Sequence, residues 1–286
     1  MSLAAETLAI VVVYNGRDDV VAAIAALRNE GLSVLIVDNG SSEETLALLK
    51  NLQESSGVTI DRLGVNRGIG FALNRGLSRA RAEGFHWILT MDQDSIVQPG
   101  FMAAYSEAIR QDRQMVCLTP HIDTGIKRGR AGRAGSVSYA ITSGNLVRSD
   151  VAELVGGFDE EMFIDCVDFD FSLRIRGAGY QINRVEQAHL KHRIGEPRKL
   201  SLFIRRLYVQ HPPSRRYYMF RNYFYVAERH VTRFPRFVVK LGMLQLALLI
   251  LAVTLDPRPM ESLTAMGRGI LDWIRRRRGP CRVIAA

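Results

Sequence analysis

Three cysteines in 286 residues, Cys117, Cys166 and Cys281, are too few and too scattered for a disulfide framework. None belongs to a Cys-x-x-Cys pair, so no zinc site is expected, and a reduced, cytosolic setting fits. Acidic residues are in deficit. There are 29 Asp+Glu against 38 Lys+Arg, a formal charge of +9, and such a chain seeks phosphates, whether in nucleic acid, nucleotide or anionic lipid. No apolar run reaches the roughly 20 residues that cross a bilayer. The nearest, residues 241–255, is broken by Gln245. The first apolar stretch, residues 8–14, is too short for a secretory leader and reads as a strand, so no leader is expected. No glycine-rich phosphate loop follows it. Tyr14-Asn15-Gly16-Arg17 stands there instead, which weighs against a nucleotidyltransferase.

What is present alternates regularly. Residues 8–14, 34–37, 58–63 and 86–91 are short apolar runs that read as strands. Segments 18–28, 42–49 and 69–82 between them carry helical spacing, and Gly31 and Gly84 supply stops. This βαβαβαβ order predicts an α/β fold, Rossmann-like, with a mostly parallel central sheet flanked by helices. Ligands of such sheets bind beyond the carboxyl ends of the strands. Asn15, Asp38, Asn66 and Asp92 all fall there.

The most telling of these ends is Asp92-Gln93-Asp94. Two carboxylates at i and i+2 after a buried strand are costly together unless a cation lies between them. A hard divalent cation, Mg²⁺ or Mn²⁺, carrying a diphosphate is the natural partner. Asp38 could accept a hydrogen bond from a ribose or base, although Asp38-Asn39-Gly40 is also good turn chemistry. Asn66-Arg67-Gly68-Ile69-Gly70 places two glycines at a helix start, where backbone N–H groups can approach a phosphate.

Past residue 115 the pattern loosens. Residues 127–135, rich in Gly and Arg, read as a solvated loop or as a flap over phosphates. Residues 139–147 read as strand, 149–154 as a short helix and 168–176 as a helix with an acidic start. The tail is aromatic and basic over 215–230, then apolar over 241–255, then Arg275-Arg276-Arg277-Arg278. That order fits a helix lying at an anionic membrane surface; a core helix with a solvated basic end is the plainer reading.

Together these motifs resemble the inverting glycosyltransferases of family 2, which have the GT-A fold, and bacterial rhamnosyltransferases above all. The residues that carry the likeness span about 8–225. They are Val12-Val13-Tyr14-Asn15, Val37-Asp38-Asn39-Gly40-Ser41, residues 66–76 through Asn74, Asp92-Gln93-Asp94-Ser95, Thr142-Ser143-Gly144, Gly156 to Asp165, and Val167-Asp168-x-Asp170-x-x-Leu173-Arg174. The resemblance implies a nucleotide-sugar donor, with dTDP-β-L-rhamnose foremost and a UDP- or GDP-sugar as alternative. Tyr14, Asn15, Asp38, Asn66, Arg67, Gly68, Gly70, Asn74, Asp92 and Gln93 would hold the donor. Asp92, Asp94 and His192, in His-x-x-Gly, would hold the metal. The family's Glu-Asp dyad stands here as Val167-Asp168, so Asp168 is the expected general base, with Asp165 the runner-up. Ser143, Gly144, Asp165, Tyr218 and Arg221 would meet the acceptor, a glycan or lipid-linked saccharide. His189 reads as an ordinary packed or exposed histidine.

The expected division is a catalytic domain over 1–210, followed by a helical, membrane-associating region over 211–286. Within the catalytic domain the nucleotide is expected to bind about residues 1–115 and the acceptor about residues 116–210. The expected place is the cytoplasmic face of the cell membrane, as a peripheral protein. A nucleic-acid partner is not expected, because the acidic strand-end face would repel it. Oligomeric state and linkage position are not legible.

Overall fold

The computed structural model describes residues 2–123, 135–192 and 211–281, with the side chain of residue 192 excepted. The first half has four strands, β1 (Thr7–Val13), β2 (Ser33–Asp38), β3 (Thr59–Arg62) and β4 (Trp87–Asp92). Helices α1 (Asp18–Asn29), α2 (Glu43–Ser56) and α3 (Ile69–Ala82) connect them. Then come β5 (Ser95–Val97), α4 (Phe101–Gln111), β6 (Cys117–Asp123), β7 (Gly135–Val137) and β8 (Asn145–Arg148). They are followed by α5 (Ser149–Leu154), a 3-10 turn (Glu160–Met162), α6 (Val167–Gly177) and β9 (Ile182–His192). Helices α7 (Pro213–His230), α8 (Pro235–Leu255) and α9 (Pro259–Ile274) close the described chain.

One mixed sheet runs in the order β3-β2-β1-β4-β8-β6-β9-β5, with β7 on β9. The four strands of the first half are parallel, as their alternation with helices predicts. Strand β8 enters antiparallel between β4 and β6. The run 8–13 lacks a period because both faces of β1 are covered. Leu8 and Ile10 point to a core shared with α3, α5 and α6, while Ala9, Val11 and Val13 point to one shared with α1 and α4. Gly76 lets α3 press onto β1, since a Cβ there would meet Ile10 at 2.5 Å.

Two expectations need correction. Residues 139–144 are not strand. Gly144 adopts φ +77° and donates to Thr90 O at 2.8 Å, so the chain turns across the end of β4 before β8 begins. The apolar run 241–255 belongs to a longer helix, which starts at Pro235 where proline suits the first turn. At 21 residues, about 31 Å, α8 is long and apolar enough to cross a membrane by length and composition. It is nevertheless packed lengthwise. Val238, Leu241, Gln245, Leu248 and Ala252 are buried on one stripe, while Val239, Met243, Leu246, Ile250 and Val253 are exposed. Three arginines of the exposed tetra-arginine run form surface ion pairs within the molecule. Arg276 pairs with Glu228, Arg277 with Asp272, and Arg278 with Glu161. The expected flap, residues 127–134, lies outside the described residues.

Candidate active site

The carboxyl ends of β1, β2 and β4 form one rim, and side-chain amides stitch it. Tyr14 N donates to Gln93 Oε1 at 2.8 Å, tying the end of β1 to the acidic motif. Asn15, at φ +51°, accepts from Ser42 N at 2.9 Å and so stands in for a cap at the start of α2. Asn39 Nδ2 donates to Asn66 Oδ1 at 3.1 Å, while Asn39 Oδ1 accepts from Arg67 N at 2.8 Å. Tyr14, Asn39, Asn66 and Gln93 border a cavity of about 200 Å³, which Asp92, Gly68, Phe163 and Ile164 also line.

Asp92 ends β4. Its Oδ1 accepts from Thr142 Oγ1 at 3.2 Å, and its N lies 3.4 Å from Ser143 Oγ. Antiparallel pairing of Ser95 with His192 brings the backbone of residue 192 beside this motif. Among the described residues no group of three or more metal-ligating side chains gathers. The two carboxylates of Asp92 and Asp94 are nonetheless a hard oxygen pair, and such a pair could hold a divalent cation whose other ligands come from a diphosphate.

The second acidic centre is the start of α6. Phe163, Asp165 and Cys166 all adopt φ near +65°, a region that non-glycine residues rarely occupy. This turn survives because α7 clamps its carbonyls. Asn222 Nδ2 donates to Met162 O, Ile164 O and Asp165 O at 2.8, 2.7 and 3.0 Å. Arg221, fully buried, donates to Met162 O at 3.1 Å and to Gly279 O at 2.6 Å. The turn aims Asp168 at the rim. Burial, and then the charges of Asp165 and Asp92, push the Asp168 carboxyl up to about 7, although Phe169 N donates to it. Burial raises Asp165 as well, opposed by Arg215 at 3.1 Å. Asp170 points the other way. Burial alone would raise it, but His230, Arg174 and Arg229 at 2.7–2.9 Å hold it down at about 2. A cavity at the strand ends, an acidic strand end that lines it, and a further carboxylate whose proton affinity burial raises are thus brought to one side of the sheet.

The glycosyl transferase family 2 profile matches residues 8–148, which hold β1 to β8 and the acidic rim. The chain carries a glycosyl transferase family 2 domain. It is 28% identical over 242 residues to dTDP-rhamnosyl transferase RfbF of Shigella flexneri, covering 78% of this chain and 80% of the relative. Its mixed sheet with flanking helices is the GT-A fold. The TarS 1–349 structure from S. aureus in complex with UDP-GlcNAc superposes with TM-score 0.64 at 15% identity, over 96% of this chain and 82% of that one. The Pyrobaculum calidifontis mannosyltransferase PcManGT, in complex with GDP-Man and Mn²⁺, gives 0.57 at 15% identity, over 94% and 87%.

Placed in this glycosyltransferase, the expected residues divide. Tyr14, Asn66, Gly68, Asp92 and Gln93 line the cavity. Asp38 is buried beneath it and accepts from Ser41 N at 3.2 Å. The Arg67 guanidinium is stacked 3.5 Å over Phe71. Gly70 and Asn74 serve the protein rather than the rim. A Cβ at Gly70 would strike Asp159 O at 2.7 Å, and Asn74 pins Phe158 through both its N–H and its carbonyl. Gly68 also makes room for Phe163, whose carbonyl, rather than a phosphate, accepts from Ile69 N at 2.7 Å. Ser143 and Gly144 are packed beneath the Asp92 end of β4, not in an open groove. Arg221 is consumed by carbonyls, and Tyr218 stacks on Phe163 at 5.1 Å while its hydroxyl accepts from Cys281 N. Both therefore shape the turn before Asp168. Sequence reasoning quotes Asn39 and Thr142 only as motif residues and gives them, and Arg215, no role in the site. Asn39 was hidden in a turn motif; Thr142 and Arg215 act across 50 residues, which no local pattern records.

Proposed function

We propose that this enzyme transfers L-rhamnose from dTDP-β-L-rhamnose to a hydroxyl of a glycan or lipid-linked glycan, with inversion, at the inner membrane surface. The donor follows from the likeness to RfbF over most of both chains. The observation that carries the chemistry is Asp168, a carboxylate held near neutrality beside the acidic end of β4. A base with that proton affinity is ionised often enough at pH 7 to act and basic enough to take the proton of an acceptor hydroxyl. Its attack from the face opposite the leaving group turns a β-L donor into an α-L product. Tyr14, Asn39 and Asn66 orient the nucleoside in the cavity. Asp92 and Asp94, with His192 as a further ligand, would hold Mg²⁺ or Mn²⁺, which when bound neutralises charge on the departing diphosphate. Asp165, tied to Arg215, positions the turn. Residues 211–281 are read as a helical unit that braces this turn and turns the apolar face of α8 to lipid.

The test is nucleoside diphosphate release from a panel of dTDP-, UDP- and GDP-sugars with Mg²⁺ and Mn²⁺. Turnover of dTDP-rhamnose alone, lost in Asp168→Asn, is expected. Equal use of a UDP- or GDP-sugar would replace the donor, and loss in Asp165→Asn with Asp168→Asn unaffected would replace the base.

A further inference from the structure

A second cavity, about 670 Å³, lies between α6 and the beginning of α8. Its walls are of two kinds. Tyr139, Phe169 and Phe237 form an aromatic trough, with ring centroids 4.9–5.9 Å apart in edge-to-face contact. Four cations stand around it, Arg176, Arg233, Arg236 and Lys240. Arg176 is held over the Phe234 ring at 4.7 Å. Arg233, Arg236 and Lys240 are exposed and, among the described residues, pair with no carboxylate. Arg75, Arg79 and Arg276, by contrast, each pair with a carboxylate. Like charges gathered without a counterion repel, so this cluster favours an anion, and a phosphate best matches guanidinium donors.

The order of residues along α8 adds direction. Arg236, Phe237, Lys240, Leu241 and Leu244 recur at three- and four-residue spacing, so they share one helical stripe, and Arg233 stands in the turn just before it. The stripe starts with cations and ends with Leu241 and Leu244. A charged mouth leading into an apolar track fits a molecule with an anionic head and a long apolar tail. Two of the lining residues stand close in sequence to the proposed reaction centre. Phe169 follows Asp168 in α6, and Tyr139 lies three residues before Thr142, which bonds Asp92.

We infer that this cavity binds the phosphate head and first apolar units of the lipid that carries the acceptor saccharide. The inference rests on the glycosyl transfer proposed above and names what delivers its acceptor. Inorganic phosphate would leave the aromatic trough unused, and a plain anionic bilayer would need no cavity.

Calorimetry on the full chain in EDTA tests it, since the chelator keeps a diphosphate from the acidic motif by way of metal. The probes are farnesyl diphosphate, inorganic pyrophosphate and farnesol. Farnesyl diphosphate is expected to bind about 10-fold or more tightly than either fragment, because head and tail are held together. The Arg233→Gln/Arg236→Gln pair should weaken it about 10-fold, the worth of one or two charge-assisted contacts, with an unchanged melting temperature as evidence of folding. Phe237→Ala should weaken farnesyl diphosphate but not pyrophosphate. Pyrophosphate binding as tightly as farnesyl diphosphate, or the arginine pair binding like the parent protein, overturns the inference. If no nucleotide sugar is turned over by the parent protein, the proposed reaction fails instead, and the calorimetric result is unaffected by that failure.

Discussion

Asn222 donates to the carbonyl of Asp165 at 3.0 Å, and through this bond α7 holds the turn that precedes the proposed base. Three of the four residues 163–166 have positive φ without being glycine, each costing on the order of 1 kcal/mol or more. The clamp offsets that cost. Asn222→Ala should therefore relax the turn and misplace Asp168, lowering kcat about 10- to 100-fold while donor affinity holds. Donor binding by calorimetry and turnover by nucleoside diphosphate release separate the two. Loss of donor affinity with kcat intact would mean that Asn222 serves the nucleotide instead.

Asp92→Asn and Asp94→Asn address the acidic motif. Each keeps the side-chain shape and removes a hard anionic ligand. Metal-dependent turnover should fall by about 10³-fold or more in both, because charge on the leaving diphosphate goes unneutralised. Circular dichroism should not change. A variant with full activity over a manganese titration would exclude that residue as a ligand.

The raised proton affinity of Asp168 has a consequence for stability without metal. Its carboxyl sits near 7 in the folded state against 3.8 as the ordinary value. Between those values the folded protein keeps a proton that the unfolded chain has released. Stability therefore falls as pH rises from about 4 to 7, then levels. Asp168→Asn has no carboxyl to ionise and escapes the loss. In EDTA the variant should melt above the parent protein at pH 8, and the gap should close by pH 4. A gap independent of pH would show that the environment of Asp168 does not resist its charge.

How much of this was legible in the sequence depends on the distance over which each feature is encoded. The parallel half of the sheet was readable, because β1 to β4 alternate with helices whose apolar spacing is local. The acidic strand end was readable for the same reason, since Asp92 and Asp94 are two residues apart. The turn over 139–144 was not, because Ala140 and Ile141 continue an apolar pattern and the bonds that bend the chain, from Gly144 N to Thr90 O and from Ala140 N to Ser172 Oγ, are long-range. Arg221 was misread as an acceptor contact. An arginine in an aromatic helix looks like a binding residue until its carbonyl partners, about 60 residues earlier, are seen. Gly68 and Gly70 illustrate the same limit, for a glycine that admits a phosphate and one that admits a backbone read alike.

Asp170 shows what a buried charge does here without touching the site. It is fully buried and surrounded by Arg174, Arg229 and His230. Removing one partner of such a group leaves the others desolvated and uncompensated. Asp170→Asn should cost about 3–5 kcal/mol of unfolding free energy at pH 7. Because its folded value is depressed to about 2, the parent protein's advantage is present above the ordinary 3.8 and is lost as pH falls through 2. Denaturant titrations of both proteins at pH 7 and pH 3 measure it. Equal midpoints at pH 7 would show that the cluster adds nothing to stability.

The exposed face of α8 gives the last prediction. Leu246 and Ile250 are 57% and 55% exposed, so the folded domain does not need their side chains. Burying one such side chain in an apolar medium is worth about 1.5–3 kcal/mol. Leu246→Ser with Ile250→Ser should therefore reduce partitioning onto phosphatidylglycerol vesicles by two orders of magnitude or more, with an unchanged melting temperature. Three of the four arginines at 275–278 are paired with Glu228, Asp272 and Glu161, which offsets part of the charge of that exposed run. Arg233, Arg236 and Lys240 around the start of α8 are exposed cations as well, so raising salt from 50 to 500 mM should weaken binding measurably, yet by less than the double substitution does, since screening acts on charge and not on apolar burial. If salt releases the protein and the serine pair does not, charge on the helical unit, rather than the α8 face, carries the association.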